Sequence, residues 1–89
     1  MEKCTIEIIN KLGLHARAAS KFASTAARYT AKITVTIDGK AVDGKSIMSL
    51  MLLAAPIGTV LEVCCEGDDE SEAIESISTL INNRFDEEE

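Results

Sequence analysis

Three stretches of the chain alternate between apolar and polar residues, and each predicts a strand with one buried face. In "EKCTIEII" (residues 2–9), Cys4, Ile6 and Ile8 face one way and Lys3, Thr5 and Glu7 the other. In "TAKITVTID", Ala31, Ile33, Val35 and Ile37 oppose Lys32, Thr34 and Thr36, and in "VLEVCCE", Leu61, Val63 and Cys65 oppose Glu62, Cys64 and Glu66. A polar outer face on every strand is the habit of an antiparallel sheet covered on one side. Between these stretches the period lengthens. Ala19, Phe22, Ala23 and Ala26 recur at helical spacing in "ARAASKFASTAARY", and Ile74, Ile77, Leu80 and Ile81 form a second stripe near the end. Asp69 and Glu72, three apart behind Gly67, predict a reciprocal cap for that last helix. "SIMSLMLLAA" predicts a shorter, very apolar helix stopped by Pro56 and Gly58.

One further stretch, "GKAVDGKS" (residues 39–46), fits the G-x-x-x-x-G-K-[ST] pattern of nucleotide-binding phosphate loops. Its neighbourhood argues otherwise. Asp38-Gly39 between "KITVTI" and "KAVD" is a strong hairpin signal, so residues 40–43 return as a short strand instead of curling around a phosphate. Asp43 would also place a carboxylate inside the cradle, against the anion. The hairpin supplies a fourth strand, and the order becomes β-α-β-β-α-β-α. The prediction is an α+β open-faced β-sandwich: a four-stranded antiparallel sheet with three helices on one face, in a single domain over residues 1–89.

Charge narrows the partners. The net charge of −6 is unevenly spread. Residues 1–60 hold eight Lys/Arg against four Asp/Glu, a balance of +4, whereas residues 61–89 hold one against eleven, a balance of −10. An acidic chain with three aromatic residues and no Trp is a poor partner for nucleic acid. No apolar run approaches the roughly 20 residues of a membrane span, and the start does not read as a signal peptide, so a cytoplasmic protein without stable membrane association is expected. Cys4, Cys64 and Cys65 are odd in number and lack metal-ligand spacing; they are expected to be reduced, with no metal or cofactor bound.

The candidate chemistry sits at two helix starts. His15 lies where Gly13 gives way to the first helix, an N-cap-like place whose unpaired N–H groups favour an anion over a charged imidazole. A neutral imidazole there keeps a lone pair for attack on phosphorus, and Arg17 can make charge-assisted bonds to phosphate oxygens. No acid/base partner is evident nearby, which argues against a hydrolytic triad and for a nucleophile that receives a phosphoryl group and holds it for transfer. Ser46 is placed to cap the short helix, and a phosphate added there would suit the helix dipole while charging the surrounding surface.

"GLHARAA" (residues 13–19), together with "DGKSIMSLMLLAAPIGTVLEV" (residues 43–63), resembles the histidine-containing phosphocarrier (HPr) family of the bacterial phosphoenolpyruvate-dependent phosphotransferase system. The resemblance extends over nearly the whole chain. It implies the fold predicted above, with strand order 1-4-2-3. It implies that His15 accepts a phosphoryl group on a ring nitrogen (Nδ1 in the family) from enzyme I and passes it to a IIA-type acceptor, and that Arg17 stabilises the phosphate. It implies that Ser46 matches the position phosphorylated by a dedicated kinase (HPr kinase/phosphorylase) in some bacteria. Such a protein serves sugar transport as a stoichiometric phosphoprotein with a phosphohistidine, not as an enzyme. The family commonly has proline where this chain has Ala18. Together with the tail "FDEEE", that departure keeps open an alternative, a regulatory binding module of the nitrogen-related branch.

A relay that serves several partners needs a modest apolar patch rimmed by positive charge. Leu14, Ile47, Met48, Met51 and Leu52 are the candidates, with Arg17, Lys21, Lys40 and Lys45 as rim. Helix spacing assigns Ile47, Leu50 and Leu53–Ala54 to the core and leaves Met48, Met51 and Leu52 for the patch. The protein is expected to be a monomer.

Overall fold

The computed structural model describes residues 1–86; Glu87–Glu89, most of the acidic tail, lie outside the described residues. The elements are β1 (Glu2–Glu7), α1 (Ala16–Ala27), β2 (Lys32–Ile37), β3 (Lys40–Asp43), α2 (Ile47–Leu53), β4 (Val60–Glu66) and α3 (Glu70–Asn82), followed by one 3-10 turn at Arg84–Asp86. The strands form one sheet in the order β1-β4-β2-β3 with every neighbouring pair antiparallel. Register follows the alternation. Val63 of β4 sits between Cys4 of β1 and Val35 of β2, and Cys65 lies opposite Ile33. A slip of one residue would turn this whole apolar row to water, so burial of one face fixes the pairing. On the outer face Lys3, Thr5, Lys32, Glu62 and Glu66 are exposed, and the three helices cover the inner face. Phe22 of α1, Leu50 of α2 and Ile77 and Ile81 of α3 are fully buried there with Ile33, Val35, Leu61 and Val63.

The phosphate-loop pattern is a hairpin. Asp38 and Gly39 both have left-handed φ values, 50° and 82°, as a two-residue turn of this twist requires. Asp43 Oδ1 accepts the Lys45 N–H at 2.9 Å, and Gly44 donates its N–H to the Ile33 carbonyl at 2.8 Å. The carboxylate thus occupies the place a phosphate would need. Ser46 caps α2, its Oγ accepting the Ser49 N–H at 3.2 Å.

Two helix ends differ from expectation. α2 stops at Leu53, two residues short of the predicted end, because Ala54 turns left-handed (φ 49°, ψ 42°) before Pro56 is reached. At the start of α3, the expected Asp69–Glu72 box does not form. The two Asp69 carboxylate oxygens instead accept the backbone N–H groups of Thr30 and Ala31, each at 2.8 Å, and Glu70 takes the Gly67 N–H at 3.1 Å. The cause lies in Gly67: a Cβ there would stand 2.7 Å from the Ala31 Cα. Lacking one, the chain lets the α1–β2 connection come close enough to claim Asp69.

The segment after α3 is also not a plain solvated tail. Arg84, Phe85 and Asp86 all have positive φ, and the turn they make drives the Phe85 ring into the core with no exposure. Cys4, Cys64 and Cys65 are free thiols. Burial pushes the Cys65 thiol up to about 11, which leaves little thiolate at neutral pH and suits a packing role.

Candidate functional site

The site begins with the connection between β1 and α1. Ile8 extends the sheet by exchanging backbone bonds with residues 58–59, its N–H going to the Thr59 carbonyl and its carbonyl receiving the Gly58 N–H, both at 2.8 Å. The chain then turns at residues 10–13, closed by the Gly13 N–H on the Asn10 carbonyl at 3.1 Å. Gly13 has φ 67°, and a Cβ there would lie 2.4 Å from the Ala55 carbonyl oxygen, so the close approach needs glycine. Leu14 donates its N–H to that same Ala55 carbonyl at 2.8 Å, which pins the turn to the end of α2.

His15 follows as the N-cap of α1, with extended backbone (φ −82°, ψ 179°). Its carbonyl accepts the first helical bond, from Ala19 at 2.8 Å, while its imidazole makes no capping bond to the helix. The N–H groups of Ala16, Arg17 and Ala18 precede that first bond and point out of the open helix end, where no acidic residue stands in the first turn. The ring is half-buried and Arg17 is exposed. Beside His15 lies an open depression of about 340 Å³, walled by Leu12, Met51, Ala54 and Pro56. An imidazole at the positive end of a helix, with a guanidinium two residues on, can present a lone pair to an electrophilic phosphorus and then bind the anion that results. Among the described residues no group of His, Cys, Asp and Glu could hold a metal ion, and no helix is long and apolar enough to cross a membrane.

The predicted docking residues divide. Met48 (76% exposed), Leu52 (72%) and Met51 (44%) are at the surface of α2, as helix spacing indicated. Ile47 is at the surface as well, at 42%, and Ala54 is exposed; both had been assigned to the core. α2 makes fewer than two turns and buries Leu50 alone, so its apolar face is narrower than a longer helix would give. Leu14 corrects the other way. It is 4% exposed and packs in the core, so it supports the site from beneath and offers no contact surface. Lys21 and Lys45 are half-buried, not free rim charges: Lys21 Nζ donates to the Phe85 carbonyl and Lys45 Nζ to the Tyr29 carbonyl, both at 2.7 Å. Lys40 and Arg17 remain as exposed cations. Exposed Leu12 (68%), on the wall of the depression, and Ile57 (55%), next in sequence to Pro56 of that wall, add to the apolar surface, a contribution the periodic pattern could not reveal because both lie in connections.

Residues 2–83 match the family model described as the PTS HPr component phosphorylation site. The chain belongs to the HPr family. Phosphocarrier protein HPr of Neisseria meningitidis is 53% identical over 87 residues, covering 98% of both chains, and that of Pseudomonas aeruginosa is 53% identical over 88 residues with the same coverage. The crystal structure of HPr-C-His from Thermoanaerobacter tengcongensis superposes with a TM-score of 0.96 at 47% identity, over the full length of both chains. Membership makes this HPr chain a phosphocarrier component of the phosphotransferase system, and the sheet order and helix placement are those of the HPr fold.

Proposed function

We propose that His15 is the phosphoryl acceptor, taking its group from enzyme I, which is charged by phosphoenolpyruvate, and passing it to IIA-type acceptors. The observation that carries this reading is the placement of the His15 imidazole at the open N-terminus of α1, beside the exposed apolar surface of α2. One ring nitrogen, Nδ1 by the family resemblance, attacks phosphorus. As the N–P bond forms, the bond from phosphorus to the donor atom of enzyme I breaks, and its electron pair leaves with the donor. Transfer to the acceptor is the same exchange in the forward direction, with His15 as leaving group. Arg17 and the first N–H groups of α1 hold the phosphoryl oxygens through both steps. The protein is consumed and regenerated stoichiometrically, so it is a carrier, not an enzyme. It acts as a cytoplasmic monomer, and the exposed Met48, Met51 and Leu52 give its partners an adaptable apolar contact.

A second, compatible role is regulatory. Ser46 Oγ is the cap of α2, and its neighbours in sequence, Ile47 and Met48, are exposed. Phosphorylation by an HPr kinase/phosphorylase would add nearly two negative charges at that surface without requiring the fold to change. In the alternative reading, a regulatory module of the nitrogen-related branch, the unmodified or Ser46-phosphorylated protein would itself control a target by binding it. The deciding test is intact mass after incubation with enzyme I, phosphoenolpyruvate and Mg²⁺. One added phosphoryl group, lost in acid and absent from His15→Ala, is expected. An unaltered yield in His15→Ala would remove His15 from the mechanism.

A further inference from the structure

Among the described residues, the most buried polar side chain lies five residues before His15. Asn10 has no exposure and is, among the described residues, the one polar side chain in the core. An amide taken from water costs roughly 1–3 kcal/mol in proteins unless its bonds are replaced, and an apolar residue would fill the same space without that cost. Asn10 Nδ2 donates to the Gly13 carbonyl oxygen at 2.7 Å, while its backbone carbonyl accepts the Gly13 N–H at 3.1 Å.

The consequence falls on one peptide unit. The Gly13–Leu14 peptide has its carbonyl held by the Asn10 amide and its N–H held by the Ala55 carbonyl at 2.8 Å. Held from both sides, its plane is restrained against tilting. The next unit in the chain is the Leu14–His15 peptide, which ends at the Cα that carries the imidazole, where α1 begins. We propose that Asn10 is a positioning residue for phosphoryl transfer: it locks the Gly13–Leu14 plane and thereby aims the His15 ring. The proposal rests on the reading of His15 as acceptor. Asn10 does not touch the phosphoryl group; it acts through the backbone. Misplacement of a reacting group by about 1 Å can cost on the order of 100-fold in rate, so losing the amide should lower the transfer rate far more than it weakens docking, because the exposed apolar residues of α2 keep their places and only Leu12 of that surface rides on the turn.

The test uses pre-phosphorylated enzyme I and rapid quenching at several carrier concentrations, with wild type, Asn10→Ala and Asn10→Ser. Each variant is first checked for cooperative thermal unfolding above the assay temperature. For Asn10→Ala the expected result is a fall of about 10- to 100-fold in the maximal transfer rate, with the half-saturating concentration within about twofold of wild type. Asn10→Ser, whose shorter side chain still carries a donor, should fall between the two. The NMR signals of the His15 ring should shift in both variants, while those of the Met48 methyl should not. Should Asn10→Ala fail to fold, Asn10→Ser decides alone. A folded variant with the wild-type maximal rate, or one whose half-saturating concentration rises at unchanged rate, overturns the proposal. Wild-type protein that accepts no phosphate would overturn the reading of His15 along with it, whereas phosphorylated wild type with unimpaired variants removes the role of Asn10 alone.

Discussion

Ala54 holds a backbone conformation that L residues avoid, with φ 49° and ψ 42° immediately after α2. The crowding of Cβ against the neighbouring carbonyl there costs roughly 1–2 kcal/mol, and the residue persists because its N–H closes the helix on the Met51 carbonyl at 3.0 Å. Ala54→Gly should therefore stabilise the protein by about 0.5–1 kcal/mol, the relief being partly offset by the greater freedom of glycine in the unfolded chain. For a domain of this size that is a Tm rise of roughly 2–8 °C, readable by circular dichroism; an unchanged or lower Tm would mean that the conformation carries no strain. This residue was illegible in the sequence. Nothing in "LLAAP" marks a left-handed alanine, because the usual marker is a glycine and none is present. The placement of His15, Arg17 and Ser46 at helix starts was legible for the opposite reason: such starts announce themselves locally, through a break in the apolar period and a residue type suited to the end.

Secondary elements were readable wherever the information is local or periodic. The alternation in β1, β2 and β4 set the inward rows, and the Asp38-Gly39 turn set the hairpin. The cap of α3 was misassigned because its partners, Thr30 and Ala31, are 39 and 38 residues away in sequence. Those two bonds, the Thr30 N–H first among them, hold the Asp69 carboxyl below its ordinary 3.8. A depressed folded value means stability that is fully present above pH 3.8 and is lost as the pH falls through the lower folded value. Asp69→Asn should thus lower the Tm at neutral pH and flatten the acid limb of the stability curve below pH 4; an acid limb identical to wild type would deny Asp69 its role. At α2 the outcomes separate by substituent. Ser46→Ala removes the oxygen that receives the Ser49 N–H and should cost about 1 kcal/mol, whereas Ser46→Asp keeps an acceptor at the cap and should keep the stability. The Asp variant should nonetheless be phosphorylated more slowly at His15 if partners dock on α2 as proposed, because it adds a negative charge beside the exposed Ile47 and Met48. Equal rates in Ser46→Asp and wild type would confine Ser46 to capping.

At the scale of the molecule, one sheet face and two ends of the helical layer divide the labour. The sheet's outer face is polar and mixed in charge, and the C-terminal third carries most of the negative charge. The apolar exposure gathers on α2 and on the connections around His15, in Leu12, Ile47, Met48, Met51, Leu52 and Ile57. The sequence could not divide this set correctly, since burial on so short a helix depends on how it lies against α1, which no period records. Phe85 shows the same limit, reading as part of an acidic tail yet fully buried by a left-handed turn. Exposed side chains that touch no core can be replaced with small effects on stability, commonly within about 0.5 kcal/mol. The double substitution Met48→Ser with Leu52→Ser should therefore leave the Tm within a few degrees of wild type. Its phosphorylation by enzyme I should need about tenfold more carrier for half-saturation, in line with the 1–3 kcal/mol expected for losing contacts at the centre of a small interface, while the maximal rate at His15 stays close to wild type. That pattern is the mirror image of the one expected for Asn10, where rate falls and half-saturation holds. Measured side by side, the two variants separate docking from aiming. A double variant with an unaltered half-saturating concentration would mean that partners dock elsewhere on the surface, with the connections at Leu12 and Ile57 the next residues to replace.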